Sequence, residues 1–135
     1  MKNIVTESLL DQCRILVVED EYLLADELAL ELEEEGATVL GPVPSVASAL
    51  ALLDTETSPD GAILDVNLGG EPAFPVADAL LRRGVPLIFT TGYDSSALPP
   101  RFASLPRCEK PIHVGRVTAA LAKEIFGRAG DLAGN

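Results

Sequence analysis

Cations are scarce in this sequence. Ten Lys and Arg face 21 Asp and Glu, for a formal charge of -11. That balance excludes a nucleic-acid or anionic-membrane surface, either of which needs clustered positive charge, and it favours proteins or cations as partners. Histidine occurs once and cysteine twice. His113 has no second His or Cys at ligand spacing, and Cys13 and Cys108 lie far apart with no CxxC partner. No Cys/His metal site is therefore expected, and two reduced, partly buried thiols are the better reading than a disulfide. No apolar run approaches the roughly 20 residues of a membrane span, and residues 1 to 12 lack the form of a signal peptide. A soluble, cytoplasmic chain is expected. Its 135 residues suffice for one core and are too few for two.

What is present alternates between strand and helix patterns. Arg14-Ile15-Leu16-Val17-Val18-Glu19 is a continuous apolar run closed by acids, the mark of a strand buried on both faces. In residues 22 to 35, Leu24, Leu28 and Leu32 recur every four residues among acids, and Gly36 supplies the stop, so an amphipathic helix with an acidic outer face follows. Thr38-Val39-Leu40-Gly41 predicts a second strand, and Ser45 can cap a helix carrying Val46, Leu50 and Leu53 on one face. Turn chemistry at Ser58-Pro59-Asp60-Gly61 leads into a third strand. A helix opened by Pro75, a fourth strand at Pro86 to Thr90, a short or irregular fourth helix between residues 96 and 104, a brief strand near Glu109 and a last helix on Val114, Val117, Leu121 and Ile125 complete the series. The expected fold is α/β, a doubly wound five-stranded parallel sheet of flavodoxin-like (βα)5 form. Residues 1 to 12 read as an arm, 13 to 127 as the domain and 128 to 135 as a flexible tail.

The chain is organised around Ala62-Ile63-Leu64-Asp65-Val66-Asn67-Leu68-Gly69-Gly70, where an apolar run ends on a carboxylate and breaks into glycines. A buried carboxylate costs several kcal/mol, on the order of the usual desolvation penalty, unless it is paired or binds metal. At the carboxyl end of a parallel strand it opens instead onto the crevice where such sheets bind ligands. The other predicted strands end at Glu19-Asp20, Thr90-Thr91 and Lys110, and right-handed crossovers bring those ends to one edge. Acids crowded there repel one another unless a cation shares the site, and a hard ion with oxygen ligands, magnesium first, suits them. An aspartate beside such an ion can attack phosphorus, giving an aspartyl phosphate.

Val17-Val18-Glu19-Asp20-Glu21, Leu64-Asp65, Thr91-Gly92 and Lys110-Pro111 resemble the signature of the response-regulator receiver domain of two-component signalling. The resemblance implies Asp65 as phosphoacceptor. It implies Asp20, Asp65 and the backbone carbonyl of Asn67 as direct Mg2+ ligands, with Glu19 holding metal-bound water. Thr91 resembles the switch hydroxyl and Lys110 the lysine that pairs with the phosphoryl group, before a peptide bond that is often cis. The phosphoryl donor would be a phosphohistidine on a histidine kinase or histidine phosphotransfer protein, and the chain would act as an interaction switch, relay or phosphate sink. It would be no enzyme beyond its own phosphorylation and dephosphorylation. Two departures stand out. Arg107 occupies the place of the usual switch aromatic, and Phe89-Thr90-Thr91-Gly92-Tyr93 is similar to the Phe-Ala-Thr-Gly-Tyr subgroup, often stand-alone proteins linked to kinases of the HWE type. Tyr93, two residues after Thr91, and Arg107 are therefore the candidates for an altered switch.

Other readings remain open at this stage. A small phosphohydrolase could use the same aspartyl nucleophile, although its general acid is wanted two residues later, where Asn67 stands. A flavodoxin-like binding module would make Asp65 and Lys110 a coincidence. Taken singly, Glu19-Asp20-Glu21 could cap a helix, Lys110 could be solvated and Thr91 could be a turn residue.

Overall fold

A computed structural model describes residues 8–55, 58–92 and 98–127. Strand β1 (Arg14–Val18) leads to helix α1 (Tyr22–Glu34), β2 (Thr38–Val43), α2 (Val46–Leu53) and β3 (Gly61–Asp65). Helix α3 (Phe74–Arg82), β4 (Leu87–Thr91), β5 (Arg107–Glu109) and α4 (Val114–Ala122) follow. All five strands are parallel, in the order β2-β1-β3-β4-β5. The doubly wound five-stranded sheet expected from the alternating pattern is the one observed.

The continuous apolar run of β1 serves two cores. Ile15 and Val17 join Leu28 and Leu32 of α1, Ile63, Ile88, and Val117 and Leu121 of α4 on one side of the sheet. Leu16 and Val18 join Val46 and Leu53 of α2, Leu64, Val76 and Leu80 of α3, and Phe89 on the other. Successive strand residues face opposite ways, so a strand covered on both faces must be apolar throughout. Ser45 caps α2 as expected, its side chain accepting from the Ser48 N–H at 3.0 Å. Strand β2 runs two residues further than its sequence pattern, through Pro42, which an edge strand tolerates because one of its sides needs no ladder bond. Its end is used: the Glu19 N–H donates to the Val43 carbonyl at 3.0 Å.

Between β4 and β5 the described chain holds a 3-10 turn, Pro100–Phe102, in place of a regular fourth helix. Phe102 is fully buried, with its ring centroid 5.7 Å from that of Phe89 and 5.4 Å from that of Phe74. Arg101 fastens the turn to α3 through two 3.0 Å bonds to the Asp78 carboxylate. Both cysteines are free thiols, Cys13 buried and Cys108 half-buried. No described helix is long and apolar enough to cross a membrane.

Ahead of β1, Leu10 is fully buried in the α1/α4 core, and its N–H donates to the Glu35 carbonyl at 3.0 Å. The turn after α1 is pressed against this segment. Gly36 has φ +90, and a Cβ there would come within 2.9 Å of the Asp11 Cα, whereas Gly84, at φ +72, has open space around it. Gly84→Ala is expected to cost about 1 kcal/mol from left-handed backbone strain alone. Gly36→Ala adds a backbone clash and is expected to cost about 2–4 kcal/mol. Urea unfolding of the two variants checks this; equal midpoints would mean that residues 8 to 12 do not pack as described.

Candidate active site at the carboxyl edge of the sheet

Glu19 and Asp20 follow β1 directly, Asp65 ends β3, Thr91 ends β4 and Lys110 follows β5. Because these strands are parallel neighbours, one edge gathers every one of these positions. The acids are not spent on capping: Glu21 is the N-cap of α1 and its side chain makes no cap bond.

Asp65 is held at both oxygens. Lys110 Nζ donates to Oδ2 at 2.8 Å and the Asn67 backbone N–H donates to Oδ1 at 3.1 Å. Asn67 turns its side chain the other way, its Oδ1 accepting from the Gly70 N–H at 2.7 Å. This closes a miniature antiparallel ribbon, Asn67–Leu68 against Glu71–Pro72, across a turn in which Gly69 and Gly70 both take positive φ. The loop expected after β3 is therefore a fastened hairpin. A Cβ on Gly69 would lie 3.8 Å from Asp20 Oδ2, so the hairpin sits beside that carboxylate.

A single ammonium serves several acids. Lys110 Nζ also lies 3.4 Å from Glu19 Oε2 and 3.4 Å from Glu21 Oε1. Burial alone would lower the lysine pKa, but the Asp65 hydrogen bond and the surrounding carboxylates raise it well above its ordinary value. Glu19 shows the opposite deficit. Its side chain is only 1% exposed, and burial pushes its carboxyl up to about 7 in spite of the 2.9 Å bond from the Glu21 N–H and the nearby lysine. Its second oxygen, Oε1, is buried with no hydrogen-bond partner. Carboxylate oxygens of Glu19, Asp20 and Asp65 all lie within 4.8 Å of one another. An all-oxygen cluster with surplus negative charge and an unused buried oxygen fits a hard divalent cation.

Thr91 is buried, one residue beyond Thr90, the residue that pairs with Asp65 across β3 and β4. Its carbonyl accepts from the Lys110 N–H at 2.7 Å, which sets the lysine's starting point. The Lys110-Pro111 peptide is cis. Arg107 opens β5, exposed, in register with Phe89. Tyr93 lies outside the described residues. Two residues given no role in the sequence-based site are Glu21, named only as the third acid of Glu19-Asp20-Glu21, and Thr90, named only as the strand end beside Thr91.

Beside Lys110 an open groove of about 650 Å³ runs along the start of α1, lined by Leu24, Pro111 and Ile112 among others. Tyr22 and Leu23 stand at its border, 77% and 76% exposed.

No protein-family model matches the chain. The sensory transduction protein LytT of Bacillus subtilis is 32% identical over 114 residues, covering 82% of this chain and 47% of that protein. The chain thus spans about half the length of this curated relative. A crystal structure of a response regulator receiver protein from Sinorhizobium medicae, at 22% identity, shares the fold, with a TM-score of 0.75 over 88% of this chain and 98% of that one. The solution structure of SdrG from Sphingomonas melonis is 42% identical, with a TM-score of 0.69, covering 83% of this chain and 96% of that one. A relative so similar and so nearly coextensive, on a sheet that carries its acids and lysine at one edge, shows that this chain belongs to the response-regulator receiver-domain family.

Proposed function

We propose that Asp65 accepts a phosphoryl group from a phosphohistidine on a partner protein, and that the product switches how this chain binds other proteins. The observation that carries the reading is the Asp65 carboxylate, fixed by Lys110 and the Asn67 N–H at the open end of the sheet. In the transfer, an Asp65 oxygen forms a bond to phosphorus as the phosphorus–nitrogen bond breaks, and the departing imidazole keeps the electron pair. Lys110 stays with the negative charge as it moves from the carboxylate to the phosphoryl oxygens. Thr91, at the next position on β4, supplies a hydroxyl to the same oxygens. Asp20, Asp65 and the Asn67 carbonyl would hold magnesium, with Glu19 acting through bound water. When bound, the ion supplies positive charge that offsets the clustered acids and the transferring phosphoryl group.

The groove beside Lys110 gives the donor a place to dock next to the acceptor, with Tyr22 and Leu23 as its apolar contacts. A histidine kinase, of the HWE type by the likeness of residues 89 to 93, or a histidine phosphotransfer protein is the expected donor. A cytoplasmic location is proposed, in keeping with the free thiols and with such a donor. Tyr93 and Arg107 are the proposed levers of the altered switch, and the domain is proposed to span residues 13 to 127, with Leu10 of the preceding arm packed into its core.

Three outcomes check this reading. With magnesium and acetyl phosphate, intact-mass spectrometry should show the parent gaining one phosphoryl group transiently and Asp65→Asn gaining none; equal gain in the variant would refute the acceptor. Magnesium at a hundred times its Kd should stabilise the parent by about 2.7 kcal/mol, and most of that gain should vanish in Asp20→Ala; a melting temperature indifferent to magnesium in the parent counts against the site.

The third outcome concerns pH. Folded Glu19 binds its proton more tightly than the unfolded chain does, since its pKa rises from 4.5 to about 7. Its contribution to stability is therefore greatest at low pH and is lost as pH climbs through that window. In chelator, Glu19→Gln should lose less stability than the parent between about pH 5 and about pH 8. Parallel stability profiles for the two proteins would contradict the burial of Glu19.

A further inference from the structure

The segment after Asp65 leaves the sheet and turns straight back on itself. Asn67–Leu68 pairs antiparallel with Glu71–Pro72, Asn67 opposite Pro72 and Leu68 opposite Glu71. Its base is tied on both sides: the Val66 N–H donates to the Thr90 carbonyl at 3.0 Å, and the Ala73 N–H donates to the Val66 carbonyl at 2.8 Å. Leu68 and Ala73 are buried in the α2/α3 core, while the turn itself, Gly69-Gly70, stands exposed.

Pro72 decides which way Asn67 faces. It has no N–H, so the two residues can pair only in the non-hydrogen-bonded manner, in which a strand residue turns both of its main-chain groups away from the partner strand. The Asn67 N–H accordingly leaves the ribbon for Asp65 Oδ1, at 3.1 Å. Its carbonyl leaves by the same edge, and the pairing does not use it. The Asn67 side chain takes a separate task, its Oδ1 accepting from the Gly70 N–H at 2.7 Å across the turn. A two-stranded ribbon is marginal by itself in water, so this bond matters. It fastens the hairpin beside Asp20, whose Oδ2 lies 3.8 Å from where a Gly69 Cβ would stand.

We propose that the Asn67 side chain is a positioning residue that makes the site prefer magnesium to calcium, by fixing the hairpin and with it the Asn67 carbonyl. The inference rests on the magnesium site assigned under the proposed function. Magnesium demands near-ideal octahedral geometry at about 2.0–2.1 Å and keeps several waters, whereas calcium gathers more oxygens at about 2.3–2.6 Å and tolerates irregular angles. A carbonyl that cannot retreat suits the smaller ion and denies the larger one room. In a loosened hairpin magnesium has to order the arm itself, while calcium gains the freedom it needs.

NMR titrations of magnesium and of calcium into the parent, Asn67→Ala and Gly70→Ala proteins test this. Gly70→Ala loosens the same turn by another route, since alanine is strained at φ +91 although its Cβ would meet nothing within 4 Å. The parent should bind magnesium more tightly than calcium. Both variants should lose about 3- to 10-fold in magnesium affinity, the size of one net hydrogen bond, with calcium affinity changed by less than about 2-fold. Without metal, amide exchange at Gly70 and Glu71 should quicken in Asn67→Ala. Unchanged or equally altered affinity for the two ions in either variant, as a merely structural role would give, overturns the inference. So does unchanged exchange at those amides, or a parent that binds calcium as tightly as magnesium; all of these leave the metal site standing. A parent that binds neither ion overturns the metal site and this inference together.

Discussion

One ammonium among several carboxylates is the constraint on which the rest depends. Lys110 reaches across a whole strand to sit 2.8 Å from Asp65, at 19% exposure, with Glu19 and Glu21 each 3.4 Å away. A buried charge pair of this kind contributes little net stability, because desolvation consumes most of the attraction. Here it does not balance: Asp20 adds further negative charge beside it, and one oxygen of Glu19 is left unused. The site therefore carries more negative charge than Lys110 alone offsets, and its all-oxygen donors suit a hard cation.

The scaffold makes this poise tolerable. Two apolar cores clamp β1 and β3 from both faces, so the repulsion at the strand ends is carried by elements that cannot separate. The backbone adds fixed points close to the charges, with the Val43 carbonyl on the Glu19 N–H, the Thr91 carbonyl on the Lys110 N–H and the Asn67 N–H on Asp65. The charged groups are thus held in place although their pairing is incomplete.

Much of this was legible in the sequence because burial on both faces leaves strands as unbroken apolar runs, and a carboxylate closing such a run is conspicuous. The order of Glu19-Asp20, Asp65, Thr91 and Lys110 on successive strand ends predicts that they share one edge of a parallel sheet, and they do. What escaped was set by tertiary contact. Leu10 has no periodic neighbours in sequence, yet it fills the core below α1. The second strand, read as Thr38 to Gly41, runs on through Pro42 because β2 lies at the edge. Phe102 sits among prolines and still packs against Phe89, because a single 3-10 turn is enough to aim one ring inward. Thr90 was named only as the strand end beside Thr91, because threonine suits any strand. Only its lack of a partner, beside Asp65, sets it apart.

The central claim is that phosphoryl chemistry happens at Asp65. Hydride reduction converts an aspartyl phosphate to homoserine and so marks its position permanently. Protein incubated with acetyl phosphate and magnesium, reduced with borohydride, digested and sequenced by tandem mass spectrometry should carry homoserine at residue 65. Homoserine at Asp20 or another acid, or phosphate retained on His113 with residue 65 unmodified, would contradict the account.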